Sequence, residues 1–299
     1  MSKKNRKRQQ VPNAPGGHPV PPSPFLVDVV MPVFGEWAMA EKSLASVGPA
    51  MAGIAEGYTV TVVDNGTPPW ADDKGGRIEP AEQAIGVKSL LRQQDKLLRI
   101  EQNIGYPGGC NYGISKTRSP LILVWTADVV MDPGSIAHLV RDLDDPTVGI
   151  TGPLLTFPAD TKYGPAGKVQ SAGMAFNIKG EPFHIFIGWS PDNPRVAQRR
   201  EMAAVTGALL LIRRSAFIEA EGFNLAYGAG TFEDMDLCFS IRSKGHKVIF
   251  NPAAHGTHHV AGSIAQGAMA NQSFNLPVNG TIFRGRFATM LAWDEWKFW

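Results

Sequence analysis

The sequence predicts an α/β fold: a mostly parallel central sheet with helices on both faces. Two observations carry that expectation. Through the first half, short apolar runs of strand length alternate with segments of helical spacing, the order that gives parallel strands and crossover helices. Each apolar run also ends in glycine, proline or polar residues. Polar groups therefore collect at one sheet edge, where open parallel sheets bind ligands.

The run at 26–32 (L-V-D-V-V-M-P) reads as a buried strand, followed by Pro32, Val33, Phe34 and Gly35. Residues 36–54 place Ala38, Leu44 and Val47 at helical spacing, with Gly48-Pro49 expected to interrupt the helix. A second strand at 58–63 ends in Asp64-Asn65-Gly66, and the stretch holding Pro68, Pro69, Gly75 and Gly76 reads as a loop. Next come a short strand at 97–100, a glycine-opened helix at 106–116 and an apolar strand at 121–125. Asp132-Pro133 reads as the N-cap and first residue of a helix at 134–143, and 148–155 as a further strand. The order then loosens. Strands are expected at 172–178 and 203–212, a helix at 232–244 and a short strand at 247–250, with a long Gly- and Pro-bearing stretch at 179–200.

At 299 residues with 43% hydrophobic and 19% charged residues, the chain has ample material for a core. The net charge is only +2, and Lys3, Lys4, Arg6, Lys7 and Arg8 carry the surplus, which argues against a nucleic-acid partner. Two cysteines, Cys110 and Cys238, exclude a disulfide framework and a Cys-rich zinc site, and reduced thiols are expected. No apolar run approaches the ~20 residues needed to span a bilayer, so a cytoplasmic location is expected, with peripheral membrane contact allowed. The basic start runs into Pro and Gly rather than an apolar stretch and does not read as a secretory signal.

Four segments carry candidate chemistry. The loop 103–113 (N-I-G-Y-P-G-G-C-N-Y-G) opens a helix and suits either an anion or a tight turn. Asp128 ends the strand L-I-L-V-W-T-A-D, where a carboxylate can hold Mg²⁺ or Mn²⁺ against a diphosphate. In T-F-E-D-M-D (231–236), Thr231 and Asp234 fit a capping box, and a carboxylate there also suits a general base. In H-G-T-H-H-V-A-G-S (255–263), an imidazole can complete a divalent-metal site begun by Asp128; otherwise it is a surface loop.

Taken in order, these segments resemble the inverting family-2 glycosyltransferases of the GT-A fold. D-V-V-M-P-V-F-G resembles the family's opening strand and turn, V-D-N-G-T (63–67) its V-D-N-G-S, and 103–113 its N-x-G-x-x-x-G-x-N-x-G. Residues 207–214 with Gly222-Phe223 resemble its G-A-x-L-x-x-R-R and G-F, 233–245 its E-D-x-D-L stretch, and His259 through Ser263 its late His, Gly and Ser. Two departures stand out. Thr126 replaces the first acid of the usual D-x-D, and Ser240 stands where the family often has Arg.

The resemblance implies transfer of a sugar, with inversion, from a nucleotide-diphosphate sugar to a hydroxyl of a glycan, lipid-linked or protein acceptor. It implies Asp234 as general base with Glu233 beside it, and Mn²⁺ or Mg²⁺ on Asp128 and His259. Donor contacts fall on Pro32, Val33, Phe34, Asp64, Asn103, Gly109, Asn111, Thr126, Ala127 and Asp128. The implied organisation is a disordered basic, Pro-rich arm at 1–24 and a GT-A domain at 25–264, with a nucleotide-binding half (25–130) and an acceptor-binding half (131–264). A C-terminal helical extension (265–299) packs on the domain. The rival readings are a glycan- or nucleotide-sugar-binding module without catalysis, for which the altered metal motif speaks, and a sugar-nucleotide pyrophosphorylase. The second lacks support, because no Gly-rich loop with Arg and Lys follows the first strand.

Overall fold

The computed structural model describes residues 23–71, 76–159, 161–259, 275–294 and 297–298. Most of the expected arm (1–24), Gly262, Ser263, Trp296 and Trp299 lie outside the described residues. The described chain opens with β1 (Val27–Val33), α1 (Trp37–Ala50), β2 (Tyr58–Asn65), β3 (Trp70–Ala71), β4 (Arg77–Ile78), α2 (Pro80–Gln83), α3 (Ile85–Leu90), β5 (Lys96–Ile100), α4 (Gly105–Ser115) and β6 (Leu121–Trp125). Then follow β7 (Val129–Met131), α5 (Ser135–Asp142), β8 (Val148–Thr156), β9 (Val169–Ser171), β10 (Met174–Phe176), β11 (Pro182–His184), β12 (Arg200–Glu201), β13 (Leu209–Arg213) and α6 (Arg214–Glu219). A 3-10 turn (Leu225–Tyr227), α7 (Glu233–Ser243), β14 (Lys247–His258) and α8 (Leu276–Phe287) complete the described chain.

The main sheet has the order β12-β14-β8-β13-β6-β1-β2-β5. β5, β2, β1 and β6 pair parallel, and β13 runs antiparallel between β6 and β8. β8 therefore points the same way as β6, and β14 pairs parallel with it. All strands on the path except β13 and β12 share one direction, so their carboxyl ends share one edge.

Side-chain alternation along the strands builds a core on each face. Val27, Val29 and Met31 pack with Trp37, Leu44 and Val47 of α1 and Ile136 and Leu139 of α5. Val30, Ile122, Val124 and Ile212 pack on the other face with Cys110, Phe217, Phe239 and Phe283 from α4, α6, α7 and α8. Cys110 and Cys238 are both buried and unbridged.

Four expectations change. The helix expected to 54 stops at Ala50, one residue beyond Pro49, which is held inside the last turn and gives it no N–H donor. Asp132 does not cap α5; left-handed Gly134 does, and the Asp132 carboxylate instead meets His255 Nδ1 at 2.6 Å. The strand expected from 203 begins only at Leu209, because Gly207 packs against α7 rather than the sheet. β14 runs to His258 rather than stopping at 250: the N-P-A-A segment is a bulge between Asn251 and His255, after which pairing with β8 resumes.

Candidate active site

The carboxyl edge of the sheet supplies one wall of the site. Thr126-Ala127-Asp128 leave β6, and Thr126 N–H donates to the Ala208 carbonyl at 3.0 Å. The Thr126 hydroxyl lies 2.7 Å from Asp128 Oδ1 and donates to it, so the residue that replaces an acid orients the remaining one. His258, at the end of β14, places Nε2 3.3 Å from Asp128 Oδ2, and its Nδ1 lies 2.9 Å from Gln170 Oε1. Burial acts to raise the Asp128 carboxyl. The His258 charge and hydrogen bond and the Thr126 hydroxyl outweigh it, and the carboxyl is held below its ordinary value. His259 reaches the same residue through its backbone, its N–H donating to the Asp128 carbonyl at 2.8 Å.

A second wall is the start of α7. Thr231 and Phe232 precede it at φ +74° and +68°, left-handed values that cost energy for residues with a Cβ. The capping box expected of Thr231 and Asp234 does not form. Phe232 is the N-cap, and the Asp234 Oδ2 accepts from Gly207 N–H at 2.8 Å instead. Its Oδ1 accepts from Met235 N–H at 2.8 Å. A clamp from α8 holds the strained turn: Asn279 Nδ2 lies 2.8 Å from the Gly230 carbonyl, 3.1 Å from the Thr231 carbonyl and 3.0 Å from the Thr231 hydroxyl.

Glu233 is buried, and its Oε2 finds no hydrogen-bond partner among the described residues. Burial, then the neighbouring Asp234 charge, push its carboxyl up to about 8. Burial also raises Asp234, against the pull of its backbone donors. Asp236, one turn on, is fully committed to structure, bound by the Tyr227 hydroxyl at 2.7 Å and Arg286 Nε at 2.7 Å. The guanidinium missing at Ser240 thus comes from α8, and Ser240 Oγ lies 3.5 Å from Arg286.

Both walls open on one cavity of about 840 Å³. The structure brings Pro32, Phe34, Thr126, Ala127, Asp128, Glu233 and Asp234 together around it. The other expected residues lie outside its lining. Asp64 ends β2 in an ion pair with Arg99, and its Oδ1 accepts from Thr67 N–H. Val33 pairs with Asp64 in the sheet. Asn103 accepts from Gly105 N–H at 2.8 Å and from Asn65 Nδ2 at 3.1 Å. Gly109 backs onto Asn65, and the Asn111 amide is spent on both backbone groups of Phe223. Within the 103–113 loop the first glycine serves close approach: a Cβ on Gly105, at φ +79°, would lie 1.9 Å from the Gly228 carbonyl oxygen. Only Tyr106 of that loop faces the cavity, and its hydroxyl donates to the Gly207 carbonyl at 2.7 Å.

Sequence reasoning missed His258, Tyr106, Asn279 and Arg284 as contributors to these walls. A strand extended through 258 would have flagged His258. Tyr106 falls at a variable position of the 103–113 motif, and Asn279 and Arg284 sit in no motif.

A mixed α/β sheet with an acidic strand end facing an acidic helix start defines a glycosyltransferase of the GT-A fold. The chain belongs to glycosyl transferase family 2, whose profile matches residues 28–219. Glu233, Asp234 and His258 fall beyond that match. The chain is 26% identical over 249 residues to the uncharacterized protein y4gI of Sinorhizobium fredii, covering 80% of this chain and 25% of that one. It is 31% identical over 189 residues to N-acetylglucosaminyl-diphospho-decaprenol L-rhamnosyltransferase of Mycobacterium tuberculosis, covering 56% and 60%. The chain thus spans less than two thirds of either relative. Among solved structures it resembles GalNAc-T7 with UDP, GalNAc and Mn²⁺ (TM-score 0.57, 17% identity, 79% of this chain and 44% of that one). It also resembles the mannosyltransferase PcManGT from Pyrobaculum calidifontis with GDP-Man and Mn²⁺ (TM-score 0.53, 18% identity, 83% and 61%).

Proposed function

We propose that the chain moves a sugar from a nucleotide-diphosphate sugar to an acceptor hydroxyl with inversion, assisted by Mn²⁺ or Mg²⁺, with Asp234 as general base. The observation that carries this reading is the convergence of Asp128 with His258, and of Glu233 with Asp234, in the lining of one cavity. The acceptor is a glycan, a lipid-linked sugar or a protein, and the site of action is cytoplasmic or peripheral to a membrane. No described helix is long and apolar enough to cross a membrane.

The donor set of the first wall fits a divalent cation. Asp128 offers a carboxylate oriented by the Thr126 hydroxyl. With Gln170 Oε1 on Nδ1, His258 can present the lone pair of Nε2. The 3.3 Å approach of Nε2 to Asp128 Oδ2 supports His258 ahead of His259 as the imidazole ligand. Among the described residues no third His, Cys, Asp or Glu joins them, so diphosphate oxygens and water would fill the remaining positions. When bound, the ion offsets the negative charge that develops on the departing diphosphate.

The second wall handles the proton. Burial and the neighbouring Asp234 charge push Glu233 up to about 8, which favours its protonated form near neutral pH. Two backbone N–H groups favour the ionised form of Asp234, against the burial that raises it. Its remaining lone pairs can take the proton of the acceptor hydroxyl as that oxygen attacks the anomeric carbon from the face opposite the diphosphate.

The test is a panel of nucleotide sugars and acceptors with Asp234→Asn as the probe. Nucleoside diphosphate release and the anomeric configuration of the product are read. We expect inverted product, and a turnover loss of ~10²–10⁴-fold in the variant with its melting temperature kept. Near-normal turnover in Asp234→Asn rejects the base assignment. Binding of a nucleotide sugar with no release in the wild type favours the binding-module reading.

A further inference from the structure

Five residues lining the cavity carry carboxyl groups: Glu36, Asp128, Glu181, Glu233 and Asp234. Among the described residues, a single lining residue with a permanent positive charge stands against them, Arg284 of α8. Its guanidinium makes no hydrogen bond and no ion pair among the described residues, although carboxylates line the same space. Arg286, two residues on, shows the contrast, being taken up by Asp236. Arg284 folds back along α8 over Gly280, where a Cβ would lie 3.3 Å from its Nη1 and 3.3 Å from the Phe232 ring. The bare glycine thus leaves the guanidinium room beside the turn that leads into the base.

We propose that Arg284 forms an anion subsite that recognises a phosphate group on the acceptor. This rests on the transferase reading above and names the chemical class of its acceptor. A planar fork of donors that no described residue pairs matches phosphate oxygens in a bidentate way, which a neutral sugar does not require. An anion entering a cavity lined by carboxylates is repelled unless a counter-charge meets it, and Arg284 is that charge. It belongs to the wall built by α8 and the Phe232 turn, in the same lining as Asp234. Asp128 and His258, which face the donor diphosphate, belong to the wall built by β6 and β14. Beside Arg284 the lip is apolar: Leu276 and Pro277 line the same mouth, and Leu276 is 57% exposed. The phosphate therefore comes either from a free glycosyl phosphate or from a glycosyl diphosphate on an alkyl chain.

The experiment compares three acceptors built on one sugar: an octyl glycoside, the glycosyl 1-phosphate and an octyl glycosyl diphosphate. KM is measured for wild type, Arg284→Gln and Arg284→Lys, and binding of the two phosphorylated acceptors is measured by calorimetry. The wild type should favour phosphorylated acceptors by about 10–100-fold in KM, the range of a charged hydrogen-bonding pair. Arg284→Gln should bring that ratio close to one, and Arg284→Lys should restore part of it. A lower KM for the octyl diphosphate than for the 1-phosphate assigns the source to a lipid-type acceptor, and the reverse to a free one. A ratio that Arg284→Gln leaves unchanged overturns the proposal. So does a rise in donor KM that matches the rise in acceptor KM, since the guanidinium would then read the donor. If the wild type transfers no sugar, the transferase reading fails separately, and calorimetry still decides whether Arg284 binds the phosphate.

Discussion

Gly207→Ala tests whether the position of Asp234 sets the rate. Gly207 has an ordinary backbone conformation, so alanine brings no torsional strain there. What it brings is a methyl group 2.9 Å from Asp234 Cβ and 3.4 Å from Asp234 Oδ2. Carbon atoms rest near ~3.5 Å apart, so one of the two must give by ~0.6 Å. The neighbour is a Cβ on the first turn of α7, which cannot swing aside as a side-chain tip can. The 2.8 Å bond from Gly207 N–H to Oδ2 then lengthens or breaks. Overpacking of this kind costs about 1–3 kcal/mol of stability. Misplacement of a reacting group by about 1 Å costs about 10²-fold in rate. We therefore expect a folded protein with a modestly lower melting temperature, a nearly unchanged donor KM and a kcat lower by one to two orders of magnitude. Asp234 also loses a donor that favours its charged form, so the acid limb of the pH–rate profile should move up. A folded Gly207→Ala protein with kcat within twofold of wild type refutes the argument that this contact fixes the base.

Two further outcomes bear on the same walls. His258→Ala and Asp128→Ala should weaken Mn²⁺ binding, followed by electron paramagnetic resonance, more than His259→Ala does; damage confined to His259→Ala would return the ligand role to that residue. Glu233 titrates near 8 when folded and near the ordinary carboxyl value of 4.5 when unfolded, so between these pH values the folded state holds more protons. Stability should then fall as pH rises across that window, by at most ~1.4 kcal/mol per pH unit, and Glu233→Gln should remove this slope from chemical denaturation measured at pH 5 to 8.

The part of the site written in local chemistry was legible in the sequence. A strand ending in T-A-D and a helix opening on E-D can be placed from apolar runs and turn residues alone. Sheet direction followed from the alternation of strand and helix. The misreadings share a cause: tertiary contacts decided between local options. Thr231 fits a cap by spacing, yet Asn279 holds it in a left-handed turn that no local rule supplies. The segment after Phe250 has the composition of a loop, yet β8 accepts it as a bulged strand. Ser240 looks like a lost arginine until Arg286 is found beside it.

The clamp on the base turn has a consequence for how the protein is made. Asn279 is synthesised 48 residues after Thr231, and Arg286 50 residues after Asp236. Until α8 arrives, the left-handed turn lacks the hydrogen bonds that offset its strain, and the Asp236 carboxylate lacks its guanidinium. The wall that carries Glu233 and Asp234 lacks these contacts in that interval, so its geometry is completed only when α8 packs against it.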